Sequence, residues 1–374
     1  MFRHLFISII FGALIGASTA LYGYGLEKIQ EFHQTTTLMY PLFLIVVFVF
    51  IYLIKRQTLY FPTQVSEVIS SSELEQRHWS PFSYIWNIFG SWFSHLAGAS
   101  LGREGTVLVL ASSLAQIGKL NWNYYKSIVI SAAFAGVVGQ PFIALIIIIE
   151  MFSTSAQQKV FSFVMAWVGF LVMQSLGIHP LFSMIQVDLS AGFTDKFLVA
   201  FLIGLFLGFM ANAFKYGYGY LSVFFKKNKM ASVMVVLLLS WIFIQPEMKS
   251  LQSLSLDSFS EIQNGKANMQ FVLLKSIFTL LFVSLGFIGG DFVPSIAIGS
   301  GFGVLVANYF QVNYTFGLAM GLMAFFTGLT RLKWTSLGLL FLLAGFKVML
   351  WGYLCLSITR QMSGLQSLYK KDIS

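Results

Sequence analysis

Apolar segments follow one another along almost the whole chain, at 5–24, 40–54, 81–99, 106–118, 126–139, 141–153, 160–178, 196–214, 230–245, 270–287, 292–309, 313–328 and 335–357. Such a chain folds in lipid, where the backbone must satisfy its own polar groups. Charged residues make up 10% of the 374 positions, against about a quarter in soluble domains. The reading is therefore an all-α membrane protein, multi-pass. A soluble enzyme, a disordered chain and a nucleic-acid binder with a polar surface are excluded.

The 23 Lys and Arg outnumber the 14 Asp and Glu, and they sit mainly in short connections, as the positive-inside rule requires. Lys55, Arg56 and Arg77 make the 55–80 connection basic, whereas 25–39 carries Glu27, Glu31 and Lys28. This places 55–80 and 215–229 in the cytoplasm, and 246–269 reads as a surface loop. The lone Cys355 lies in an apolar run, and the five His are scattered without an HExxH. Neither a disulfide framework nor a metal site is expected, and no cofactor. The apolar stretch after Arg3 and His4 has no clear cleavage site, so it reads as a first spanning helix rather than a signal peptide.

Several segments hold only about 12–16 residues, where a full crossing needs about 20. Their junctions carry Gly and Pro, at Gly98–Gly105, Gly139–Pro141 and Gly286–Pro294. Broken helices of this kind build ion sites, because unwound backbone at membrane depth is tolerated only around a cavity. The pattern occurs twice. Ser100-Leu101-Gly102-Arg103-Glu104-Gly105 precedes one apolar run, and Gly289-Gly290-Asp291-Phe292-Val293-Pro294 precedes another. The expectation is one transmembrane domain over 1–374, with a first repeat at about 1–214, a second at about 230–374, and no soluble regulatory domain.

Three of the 14 acids, Glu104, Glu150 and Asp291, fall within or beside apolar segments. A carboxylate at membrane depth costs several kcal/mol unless it is paired, neutralised or wet, so each is a functional candidate. Glu104 sits between glycines at a helix start, where exposed N–H groups favour an anion. It could occupy that site itself or yield it to a free anion; the competing reading is a capped helix start with an Arg103–Glu104 pair. Asp291 reads as an N-cap or as a second site group, and Glu150 as a helix-end carboxylate reaching the interface. Gly98-Ala99-Ser100-Leu101-Gly102 also spells GxSxG, the pattern of serine nucleophiles. An intramembrane serine protease would need His95 or His179 as its base.

Gly102-Arg103-Glu104-Gly105-Thr106 resembles the GREG(P/T) motif of the CLC chloride channels and anion/proton antiporters. Gly289-Gly290-Asp291-Phe292-Val293-Pro294 is similar to that family's GGxFxP motif, and the likeness extends over roughly 5–370. It implies a CLC-type inverted repeat of tilted and broken transmembrane helices, assembled as a homodimer with one anion pathway per subunit. Glu104 then matches the gating glutamate that competes with anions and carries protons. Gly102, Arg103, Gly105, Thr106, Phe292 and Val293 fall in the anion-binding motifs. Pro62 to Glu67 lies where the family has GSGIPE, with Thr63 in place of its central serine, and Tyr369 is the candidate for its second hydroxyl.

The resemblance implies halide transport, of chloride or fluoride, gated by Glu104 and coupled to protons, in the inner membrane of a bacterium. A passive chloride channel is the alternative, and no enzyme activity is expected. The GSGIP glycines are absent, and the antiporters' inner proton glutamate falls at Met151, one place after Glu150. GREGT and Gly-Gly-Asp resemble the fluoride/proton branch, whereas Thr63 keeps a hydroxyl where that branch has methionine. For the dimer face, the runs 159–182 and 313–327 are expected, with Gly169 and Gly177, or Gly317 and Gly321, allowing close approach.

Overall fold

The computed structural model describes residues 1–35, 40–57, 65–70, 82–178 and 184–369. Among them the regular structure is helical, apart from one isolated bridge. A helix closes its own N–H and C=O groups, which is what a chain in lipid needs. The first eight helices are α1 (Phe2–Thr35), α2 (Tyr40–Gln57), α3 (Val65–Ser70), α4 (Ser83–Leu96), α5 (Glu104–Ile117), α6 (Trp122–Val138), α7 (Ile143–Met151) and α8 (Ala156–Ser175). A second eight follow: α9 (Phe193–Lys227), α10 (Lys229–Phe243), α11 (Leu256–Gln263), α12 (Met269–Leu285), α13 (Phe292–Tyr309), α14 (Tyr314–Thr330), α15 (Lys333–Ala344) and α16 (Met349–Met362).

The second eight retrace the first. Each set opens on a long helix, of 34 residues in α1 and 35 in α9. The third member of each, α3 or α11, is short. Both α4 and α12 end in a left-handed turn, at Gly98 (φ 83°) and Gly286 (φ 82°), a conformation that favours a residue without Cβ. Asn121 and Asn313 cap α6 and α14, their side chains accepting the amides of Tyr124 and Thr315. The two sets meet at Gly102 and Gly290, which exchange backbone hydrogen bonds of 2.6 and 2.7 Å. That bridge is antiparallel, in keeping with a second set inverted relative to the first.

Glycines let the helices pack closely, since association in lipid rests on close backbone approach. Gly12 and Gly16 of α1 lie on Gly169 of α8. Their counterparts Gly204 and Gly208 of α9 lie on the Cys355 and Thr359 carbonyls of α16. Between α13 and α14, Gly299 faces Gly321 and Gly303 faces Gly317, and a Cβ at any of the four would meet a partner carbonyl. Gly169, Gly317 and Gly321 are thus consumed inside the subunit. Because Phe316 to Thr330 are all buried, the run 313–327 offers no outer face, contrary to the sequence expectation.

Four of the described helices are long and apolar enough to cross a membrane: Phe2–Phe32 within α1, α8, α9 and α13. Others are partial, and α7, with nine residues, rises about 14 Å, near half the hydrocarbon thickness. Two further expectations change. The 215–229 connection is helix through Lys227, the break falling at Asn228, because Lys215 is a buried residue rather than a loop charge. The 246–269 loop contains a 3-10 turn (Pro246–Leu251) and α11, at the place α3 holds in the first set. If the glycine contacts hold α13 on α14, Gly321→Leu should destabilise the protein by about 3 kcal/mol, the upper range for overpacking. A detergent melting temperature equal to the parent's would refute that packing.

Candidate functional site

The Gly102–Gly290 bridge fixes two helix starts against each other. After each bridging glycine comes one N-cap residue, Arg103 or Asp291, and then the first helical residue, Glu104 or Phe292. Neither N-cap side chain bonds back onto its helix. The first-turn N–H groups of α5 and α13, which have no partner within their own helices, converge beside the bridge and carry the positive ends of two dipoles. Approach this close requires glycine. A Cβ on Gly105 would meet the Gly289 carbonyl, and one on Gly290 would stand 2.7 Å from the Gly105 nitrogen.

Into this space Glu104 folds its own side chain. The residue is 2% exposed. Its Oε2 lies against Gly102 and Gly290, where a Cβ on Gly290 would be 2.9 Å away. The amides of Glu104 and Val293 face the carboxylate, with Arg103 and Asp291 as charged neighbours. Oε2 has no hydrogen-bond partner among the described residues. Nor does an ion pair join Arg103 to Glu104 among them: the Arg103 guanidinium donates to the Val137 carbonyl, 3.2 Å away at the C-terminal end of α6. The expected Arg–Glu cap is therefore absent, and Arg103 serves a helix end rather than the anion space. The Thr106 hydroxyl also turns away, donating to Ser91 at 2.9 Å, and Ser91 in turn meets the buried Tyr22 hydroxyl at 2.7 Å.

Phe292 closes one side, its ring 5.3 Å from Phe134 and 4.8 Å from Phe326. Asp291 is not the side-chain cap it resembled. Its Oδ1 accepts the Tyr369 hydroxyl at 2.9 Å in a buried contact, so the tyrosine named from the sequence does reach the site. Beside this pair is a cavity of ≈ 30 Å³ bordered by Phe287, Gly289, Gly290, Asp291 and Tyr369, room for one water-sized particle. Behind Tyr369 an apolar gap of ≈ 10 Å³ is lined by Met151, Ile147 and Leu332. Thr63 lies outside the described residues, as does His179.

Glu150 does something the sequence did not suggest. Its Oε1 accepts the Trp334 amide at 3.0 Å, and its Oε2 accepts the Thr335 amide at 2.7 Å and hydroxyl at 2.8 Å. A carboxylate from the end of α7 thus caps the start of α15, the matching helix of the other set. Ser100 fares no better as a nucleophile. Its hydroxyl meets Thr279 at 2.9 Å, while Nδ1 of His95 meets Ser253 at 3.0 Å.

Two facing helix starts, a carboxylate seated between them and room for one small particle beside them meet here in a membrane protein of broken helices. The sequence pattern of the voltage gated chloride channel family matches residues 57–364, and the chain belongs to that family. No curated protein sequence matches. Among solved structures, a CLC-type fluoride/proton antiporter superposes with a TM-score of 0.87 at 23% identity, over 98% of this chain and 96% of that one. A slow cyanobacterial Cl-/H+ antiporter gives 0.80 at 16%, over 98% and 96%. A eukaryotic CLC transporter gives 0.72 at 17%, over 99% and 74%. At these identities the likeness is one of fold. Because Glu150 is occupied as a cap, Glu150→Gln should lower stability by about 1 kcal/mol and leave the ratio of protons to anions moved unchanged. An altered ratio would give Glu150 a part in the transport cycle.

Proposed function

We propose that the protein exchanges a halide, chloride or fluoride, for protons across the cytoplasmic (inner) membrane of a bacterium, with Glu104 as gate and proton carrier. The observation that carries this reading is the seat of the Glu104 carboxylate: a tethered anion held where two helix starts converge, with one oxygen unpartnered. A free anion of similar charge competes for the same amides. When the carboxylate takes a proton it loses its attraction to them and leaves, so anion entry and proton uptake become linked events. Two structural neighbours, a fluoride/proton and a Cl-/H+ antiporter, support coupled exchange over a passive channel. The ≈ 30 Å³ cavity suits a small dehydrated ion.

Anion contacts in this reading come from the backbone amides of Gly105, Phe292 and Val293, with Thr63 as a further donor; the Gly102 N–H and the Tyr369 hydroxyl, also expected as contacts, are engaged by Gly290 and Asp291. The chain acts as one membrane domain of two repeats, and the long helices that open the two sets, α1 and α9, support a second repeat that begins with α9. Two subunits associate as a homodimer. Of the two stretches considered for the interface, 159–178 keeps outward apolar side chains, Val160 and Leu171, each more than half exposed. Crosslinking in membranes should give a discrete dimer band, and a strictly monomeric species in bilayers would overturn that assignment.

Liposomes loaded in turn with fluoride, chloride and nitrate, with pH recorded during efflux, test the transport reading. At least one halide should leave with protons moving the other way. Glu104→Gln should cut proton movement by roughly 100-fold, the scale of a lost proton-transfer group, while anion flux either persists uncoupled or stops. Proton movement equal to the parent's removes Glu104 from the role, halide efflux without protons in the parent makes the protein a channel, and no flux of any of the three anions ends the transport reading.

A further inference from the structure

Beyond the anion space, α9 carries a lysine in a place where charge is expensive. Lys215 is 4% exposed, and its ammonium donates to three backbone carbonyls: Gly328 at 2.9 Å, Ser363 at 2.6 Å and Gln366 at 2.7 Å. Those carbonyls belong to three pieces of chain. Gly328 is in the last turn of α14, Ser363 ends α16, and Gln366 lies in the irregular segment that follows. That segment is tied down elsewhere by the same kind of bond. The Leu368 amide donates to Leu329 at 3.0 Å and the Ser367 hydroxyl to Thr330 at 2.8 Å, while the Arg331 guanidinium donates to the Gly364 carbonyl. The last carbonyls of a helix have no partner within it, and here the end of α14 uses its own to hold an adjoining strand of chain.

The strand leads directly to Tyr369, whose hydroxyl lies on Asp291. A buried ammonium that gathers three carbonyls fixes where their segments sit, and burying a charge without such partners costs several kcal/mol. Since Ser363 and Gln366 flank the turn at Gly364 (φ 72°), releasing them frees the strand at its root. We propose that Lys215 is a positioning residue of the transport site: through Ser363 and Gln366 it sets the strand that holds the Tyr369 hydroxyl against Asp291. This deepens the transport reading above and rests on it for the functional consequence, whereas the positional one stands by itself.

The test compares the parent with Lys215→Met, Lys215→Arg, Tyr369→Phe and the double variant Lys215→Met/Tyr369→Phe, in liposomes loaded with fluoride or chloride. If Lys215 acts through Tyr369, Lys215→Met and Tyr369→Phe should each shift the proton-to-halide ratio by at least about twofold, and the double should shift it no further than Tyr369→Phe alone. Lys215→Arg, which keeps the donors, should stay nearer the parent. A lower melting temperature with the parent's ratio, or two effects that multiply in the double variant, would overturn the proposal. Should Lys215→Met fail to fold, Ser367→Ala removes another tie on the strand and must shift the ratio in the same direction, or the proposal falls. A fluorine-labelled tyrosine at 369 separates this from the transport reading. Its resonance should move or broaden in Lys215→Met whether or not the parent carries halide, and an unmoved resonance overturns the proposal even if transport is sound.

Discussion

Two backbone hydrogen bonds between Gly102 and Gly290 determine where everything else must go. They form only because side chains are missing along both segments, at Gly102, Gly105, Gly289 and Gly290, so that each main chain lies in the space a Cβ would need. Once made, the bridge sets the starts of α5 and α13 at one point with antiparallel approach. Four first-turn amides at each helix have no intrahelical acceptor, and burying such donors in lipid without acceptors is costly. An anion is the natural complement, supplied here by Glu104 from the same motif.

The resident carboxylate makes the site self-contained but not fully satisfied. Oε2 is buried without a partner among the described residues, and an unpaired oxygen at such depth holds its place less firmly than one bonded on both sides. A group held this way can be displaced, which a permanent cap could not. Glu150 offers the contrast within the same molecule. Both its oxygens accept hydrogen bonds from the start of α15, so it fastens one set of helices to the other.

The sequence makes the helical class, the duplicated broken segments and the crowded, glycine-lined surroundings of Glu104 legible, because each rests on local features: apolar run length, glycine spacing, and a carboxylate where carboxylates are scarce. Tyr369 was reachable through the family motif alone, and its contact with Asp291 joins residues far apart in the chain. The contacts of Glu150 were not visible for the same reason, since the cap and the capped helix belong to different repeats. Lys215 and Lys275 could have been found. Each lies in an apolar helix and is fully or almost fully buried, and Lys275 donates to Leu251, Ser253 and Ser255. The cost of an intramembrane charge applies to cations as it does to acids, but the positive-inside pattern assigns lysines to loops and so misplaced Lys215 in a connection. The glycines of α13 and α14 misled in another way: a small-residue stripe identifies a close contact without saying whether the partner is another subunit or the next helix.

Inversion has a consequence for direction. Two helix sets related as these are would, if their side chains also matched, present the same face to either side of the membrane, and such an object has no inside or outside. Across the bridge, however, Glu104 stands where the other set has Phe292, and Arg103 where it has Asp291. One arm of the near-symmetric frame bears a buried carboxylate seated at the helix starts, and the other bears an aromatic ring packed between Phe134 and Phe326. The asymmetry at the centre therefore lies in four side chains on a closely matching backbone frame, Arg103 and Glu104 on one arm and Asp291 and Phe292 on the other, each tied to neighbours that its counterpart lacks.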